Sequence, residues 1–167
     1  MTRFLLALSF LLLASPAWAG LEEGVAAYLR GDYAAALREF LPLAFRGLDA
    51  AQYNLGVMCD NGQGVPKDYA LALDWFQQAA AKGNAPAKNN LGEMYANGWG
   101  VKQDFQGAAK WFEEAARAGD AKASYNLGKL TAVGMGVRQD LERAAQLLRD
   151  ALKGEPQNAK VRNWLGS

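Results

Sequence analysis

The sequence predicts an all-α solenoid of stacked antiparallel helix pairs, and three observations carry that prediction. Residues 51–83, 87–119 and 123–155 align at a constant offset of 36 residues without a gap. Ten positions are identical in all three copies, including Asn54/Asn90/Asn126, Gly62/Gly98/Gly134 and Asp68/Asp104/Asp140. Each copy also divides into two stretches of helical periodicity separated by a glycine-rich loop, as expected of a repeat unit that buries its apolar face only by stacking.

Taken in chain order, residues 1–19 come first. Arg3 supplies a short positive region, and Phe4 to Ala14 is an apolar run broken by one Ser. Ser15-Pro16-Ala17-Trp18-Ala19 then gives a helix breaker and an A-x-A-type cleavage sequence, the layout of a secretory signal peptide. The run falls short of the roughly 20 residues that span a bilayer. Cleavage is expected after Ala19, giving an exported chain that starts at Gly20 and has no membrane span. The periplasm is the first expectation for its location and full secretion the second. No Cys stands at the cleavage point, so no lipid anchor is expected there.

Residues 20–48 read as a degenerate first unit. Its loop is shortened to Arg30-Gly31-Asp32, while Tyr33, Ala36 and Phe40 match Tyr69, Ala72 and Phe76. Pro42 falls inside the second helix and is expected to kink it, because its ring replaces an N–H.

Residues 49–84, 85–120 and 121–156 are the full repeats. In the first of these, helix A is predicted over about residues 51–60 and helix B over Tyr69 to Lys82. Gly62 suits the left-handed cap of helix A. Asp68 suits the N-cap of helix B, since its carboxylate accepts orphan backbone N–H groups. Ala72, Trp75, Phe76 and Ala79 follow helical spacing and form the buried stripe. Trp75 and Trp111, at matching core positions, read as structural. Gly56, interior to helix A, costs about 1 kcal/mol relative to Ala. Its recurrence at Gly92 and Gly128 predicts a close helix–helix approach. Residues 157–167 read as a lone terminal capping helix, which makes about nine short helices in all, with divergent end units as a stack requires.

The motifs A-x-x-N-L-G, G-x-G-V-x-x-D and A-x-x-W-F-x-x-A-A-x-x-G resemble the Sel1-like repeat, a relative of the tetratricopeptide repeat. The resemblance covers Asp49 to Leu152 well and the flanks loosely. It implies a right-handed α-solenoid that binds a protein or peptide on a concave side lined by the A helices. The short-looped first unit is closer to a tetratricopeptide unit. Leu147 departs from the pattern where Trp75 and Trp111 stand, and Cys59 and Thr131 depart where Tyr95 stands. Some exported relatives staple each unit with a disulfide. This chain lacks that pairing, so nothing believed of that subgroup, penicillin binding included, carries over.

Composition removes most chemistry. The chain has 167 residues, 18 Lys+Arg, 17 Asp+Glu, no His and one Cys. Without His there is no ordinary general base near neutral pH and no imidazole metal ligand. One Cys allows neither an internal disulfide nor a cysteine zinc site. The near-neutral charge gives no footprint for nucleic acid. After the predicted cleavage the only hydroxyls besides tyrosines are Ser124, Thr131 and Ser167. A Ser124 pairing with Lys122 or Lys88 lacks a motif, and Glu113 and Glu114 point apart on a helix. No cofactor or metal is expected. Cys59 reads as a buried inert thiol, with a reactive thiol or an intermolecular disulfide as the alternatives.

A surface remains as the functional candidate. Asn54, Val57, Asn90, Glu93, Asn97, Lys122, Asn126 and Lys129 fall on the A-helix stripe. The Asn54/Asn90/Asn126 ladder either hydrogen-bonds an extended peptide or braces adjacent helices. Trp99, on a loop tip between two glycines, either anchors a partner or packs onto the next loop. The expected function is a noncatalytic, exported interaction module, an adaptor or regulator in the cell envelope. The alternatives are an envelope enzyme directed at glycan or a β-lactam, and an inhibitor of a cell-wall enzyme. Trp164 near the C-terminus leaves room for dimerisation through an end unit.

Overall fold

The computed structural model describes residues 19–159 and 161–162. Among the described residues lie eight helices and no strand: α1 (Ala19–Leu29), α2 (Tyr33–Phe45), α3 (Asp49–Asn61), α4 (Tyr69–Ala81), α5 (Ala85–Asn97), α6 (Phe105–Arg117), α7 (Ala121–Val133) and α8 (Leu141–Gly154). They form four pairs, α1–α2, α3–α4, α5–α6 and α7–α8. Each pair rests on the next through α2–α3, α4–α5 and α6–α7, and α5 also touches α7. This is the expected all-α solenoid.

The predicted terminal helix is only begun within the described residues. Residues 159, 161 and 162 are helical. The Asn158 side chain accepts from the Val161 N–H at 3.3 Å, and Val161 is fully buried with Leu148 and Ala151. Trp164 and residues 1–18, which carry the predicted signal segment, lie outside the described residues.

Local chemistry explains the helix bounds. Asp32, Asp68, Asp104 and Asp140 open α2, α4, α6 and α8, accepting from the N–H of Ala35, Leu71, Gln106 and Arg143. Each such cap contributes about 1 kcal/mol. Gly62, Gly98 and Gly134 close α3, α5 and α7 in the left-handed conformation, donating to the carbonyls of Met58, Met94 and Leu130. Pro42 does not end α2, which runs on to Phe45.

In each of the first three pairs one aromatic dominates the interior. Phe40, Phe76 and Phe112 are at most 2% exposed. Opposite them stand Gly24, Gly56 and Gly92, where a Cβ would fall 2.5–2.6 Å from the ring. The interior glycines therefore make room for the rings, as their recurrence predicts. In the fourth pair Leu148 replaces the aromatic, and the gap to a Cβ at Gly128 widens to 3.2 Å.

Trp75 and Trp111 correct the sequence reading in one respect. Both are only half-buried, at the margin of the core rather than in its interior. Trp75 packs against two buried clusters that both include residues of its own pair, and its ring also lies 5.8 Å from Phe45 of the pair before. Trp111 packs against the cluster that holds Ala87, Leu91 and Met94 of its own pair together with α4 residues. One position along a helix turns the side chain by about 100°, so the residue before each buried Phe lies to the side of the core stripe. Cys59 is buried, and that burial pushes its thiol up from its ordinary value, with nearby Asp68 adding to the shift. A thiol so placed is a poor nucleophile.

The second loop glycine has a different role from the first, because it caps no helix. Gly64, Gly100 and Gly136 all have positive φ. Each lies against the opening of the preceding pair's second helix, and a Cβ at Gly100 would fall 2.6 Å from the Tyr69 carbonyl oxygen. Close approach of two backbones is what requires glycine there.

Candidate functional site

The first helices of successive pairs present a polar row, and the structure divides it. Glu93 and Asn97 of α5 meet Asn126 and Lys129 of α7 across one cleft of about 440 Å³. Leu130, Val133, Met135 and Phe105 supply apolar lining, and Gln103 also lines it. Val133 is 52% and Met135 40% exposed, so the lining is open to a ligand.

A hydrogen-bond network fixes the polar wall. Asn126 Nδ2 donates to Asn89 Oδ1 and to Glu93 Oε1, both at 3.1 Å. Asn89 Nδ2 donates to the same Glu93 oxygen at 3.1 Å. Asn97 Nδ2 donates to the Glu93 carbonyl at 2.8 Å, and Gln103 Nε2 to the Ala96 carbonyl at 2.8 Å. Lys129 leans over the Tyr125 ring, its Nζ 5.3 Å from the centroid.

Asn90 and Lys122 belong to a second, smaller hollow of about 160 Å³, together with Tyr53, Asn89, Asp120 and Glu155. Burial pushes the Tyr53 phenol above its ordinary value, and the Asp120 carboxylate pushes it further, so Tyr53 stays a protonated donor at neutral pH. Asn54 and Val57 line neither hollow. Val57 packs on the buried cluster of the second pair.

The asparagine ladder is thus not uniform. Asn126 braces α7 on α5. Among the described residues no side-chain hydrogen bond involves Asn54 or Asn90. The bracing partner Asn89, 3% exposed, was not singled out in the sequence, because Tyr53 and Tyr125 hold the equivalent places. Gln103 and Met135 were missed for a similar reason, since neither sits on the A-helix stripe.

Trp99 packs onto the preceding pair rather than the next loop. Its ring stacks on Tyr69 at 5.6 Å between centroids with 9° between planes. Lys67 Nζ sits 4.5 Å from the same Tyr69 centroid. The equivalent loop residue Gln63 reaches back likewise, donating to the Tyr33 hydroxyl at 3.0 Å. Trp99 remains 37% exposed.

The residues weighed for catalysis are committed elsewhere. Ser124 donates to the Asp120 carbonyl at 3.2 Å and Thr131 to the Leu127 carbonyl at 2.8 Å, and both are buried. Lys88 pairs with Glu114 at 2.8 Å. Glu113 takes Arg117 at 3.0 Å and Arg143 at 2.9 Å. Among the described residues no cluster of carboxylates or Cys could hold a metal ion, and no helix is long and apolar enough to cross a membrane.

Comparisons with known proteins follow this geometry. The family model described as Sel1 repeat matches residues 49–84, 85–120 and 121–154. The crystal structure of a Sel1 repeat protein from Oxalobacter formigenes is 36% identical with a TM-score of 0.80, covering 87% of this chain and 59% of that one. The protein c5321, a protective antigen present in uropathogenic Escherichia coli strains and displaying an SLR fold, is 31% identical with a TM-score of 0.80. It covers 92% of this chain, which spans only 33% of its length. Helicobacter pylori cysteine rich protein B shares the fold at 18% identity and a TM-score of 0.56, over 91% of this chain and 99% of its own. No curated protein matches the chain significantly.

Proposed function

The chain belongs to the Sel1 repeat family, and on that premise we propose that it is a noncatalytic, exported module that binds a protein segment in the cleft between α5 and α7. Sel1 repeat proteins generally mediate protein–protein interaction and are typically scaffolds without catalysis. The observation that carries the proposal is the meeting of Glu93, Asn97, Asn126 and Lys129, from two pairs, around an exposed apolar lining. Fully burying one aliphatic side chain there contributes about 1.5–3 kcal/mol, and the polar wall supplies orientation. The partner lies along the concave side formed by the A helices, and the chain acts as an adaptor or regulator in the cell envelope. Support for export comes from the charge, apolar run and A-x-A sequence of residues 1–19.

The test is site-specific photocrosslinking in the native cell, with one probe at Asn97 and a control at exposed Lys110 on α6. A discrete partner captured from Asn97 alone supports the reading. Equal capture from both sites, or none from Asn97, overturns it. Mass spectrometry of the exported protein reads the N-terminus, expected at Gly20.

A further inference from the structure

The directions of the hydrogen bonds around the cleft restrict what can enter it. This inference rests on the interaction reading above. A primary amide donates only through its nitrogen and accepts only through its oxygen. Asn97 and Gln103 each spend one N–H, on the Glu93 and Ala96 carbonyls. Asn126 spends its nitrogen on Asn89 and Glu93. An amide nitrogen carries two N–H donors, so Asn126, with both spent, has only its oxygen to offer a ligand, whereas Asn97 and Gln103 each keep one N–H beside their oxygen. Glu93 adds a carboxylate whose donors are two amides. Among the described residues it forms no ion pair, whereas Glu113, Glu114 and Asp150 each hold a cation. The one cation lining the cleft, Lys129, is drawn over Tyr125. The polar wall therefore holds a carboxylate without an ion pair, flanked by the Asn126 oxygen.

We propose that the cleft selects an extended segment of a partner protein in which a bulky apolar side chain stands beside a Lys or Arg. The apolar side chain lies on Leu130, Val133 and Met135. The cation meets Glu93, and main-chain N–H groups donate to the amide oxygens. Charge complementarity sets the preference: an acidic neighbour would face the Glu93 carboxylate, and a neutral one would leave Glu93 without a counter-charge.

Phage-displayed random dodecapeptides, selected on the purified protein, test this. Sequences pairing Leu, Ile, Met or Phe with Lys or Arg are expected to enrich. Synthetic peptides from that pool are expected to bind Glu93→Gln about tenfold more weakly. Glutamine keeps the oxygen that accepts from Asn89 and Asn126, and an unchanged melting curve verifies the fold. A repeat selection on Glu93→Gln is expected to keep the apolar preference and lose the basic one. Enrichment of acidic or purely apolar sequences, a basic preference indifferent to Glu93→Gln, or no enrichment would each overturn the proposal. Failure of this selection alongside a partner captured from Asn97 removes only the specificity. Failure of the capture removes the interaction reading itself.

Discussion

Gly92 of α5 faces the Phe112 ring of α6 so closely that a Cβ would fall 2.5 Å from it. Gly128, in the same place one pair later, would meet Leu148 at 3.2 Å. Forcing a methyl against the buried ring costs about 1–3 kcal/mol, while the better helix propensity of Ala returns about 1 kcal/mol. Gly92→Ala is therefore expected to lower unfolding free energy in urea by up to about 2 kcal/mol. Gly128→Ala is expected to stay within about 1 kcal/mol of wild type, because the branched Leu148 side chain can shift.

The loop glycines separate two costs. Gly31 has φ +78° and open space where a Cβ would be. Gly31→Ala meets only the left-handed penalty of about 1–2 kcal/mol. Gly100 adds a clash with the Tyr69 backbone. Gly100→Ala is expected to cost clearly more than Gly31→Ala in the same urea titration, with equal costs refuting the close-approach explanation.

Asparagine substitutions distinguish bracing from display. Asn126 bridges two helices, so Asn126→Ala leaves Asn89 and Glu93 short of a donor and is expected to cost about 1–3 kcal/mol. Asn54→Ala is expected to stay within about 0.5 kcal/mol. Thermal melts of the two variants side by side give the answer.

Asp60 makes stability depend on pH. Burial pushes its carboxyl above the ordinary 3.8, only partly offset by Lys67, and its Oδ1 has no protein partner among the described residues. A carboxyl raised on folding destabilises the folded state when ionised. The penalty is full above the folded value, shrinks as pH falls through it, and is absent below the unfolded value. Asp60→Asn is expected to raise Tm at pH 7, with the gain vanishing near pH 3. A gain that persists or grows on acidification would refute the assignment.

Much of this was legible because the repeat states it three times. Period, the Asp68, Asp104 and Asp140 caps, the left-handed Gly62, Gly98 and Gly134, and the rings of Phe76 and Phe112 each follow from rules acting within one pair. What was not legible lies between pairs. Asn126 bonds Asn89, two residues at different places in the repeat, so no periodicity points to their meeting. Trp99 reaches Tyr69 across 30 positions of chain, and Trp75, packed on its own core, also touches Phe45 of the pair before. The candidate site inherits that difficulty. Its row of polar side chains was visible, but which of them share a cleft depends on how one pair sits on the last.

The seating of Gly64, Gly100 and Gly136 on the preceding pair gives the array a polarity. Tyr33, Tyr69 and Phe105 each start a second helix sheltered by the loop that follows, whereas Leu141, in the equivalent position, is 66% exposed. Each such loop thus roofs the start of the second helix in the pair before it. Amide exchange at the start of α8 is accordingly expected to be faster than at the starts of α4 and α6.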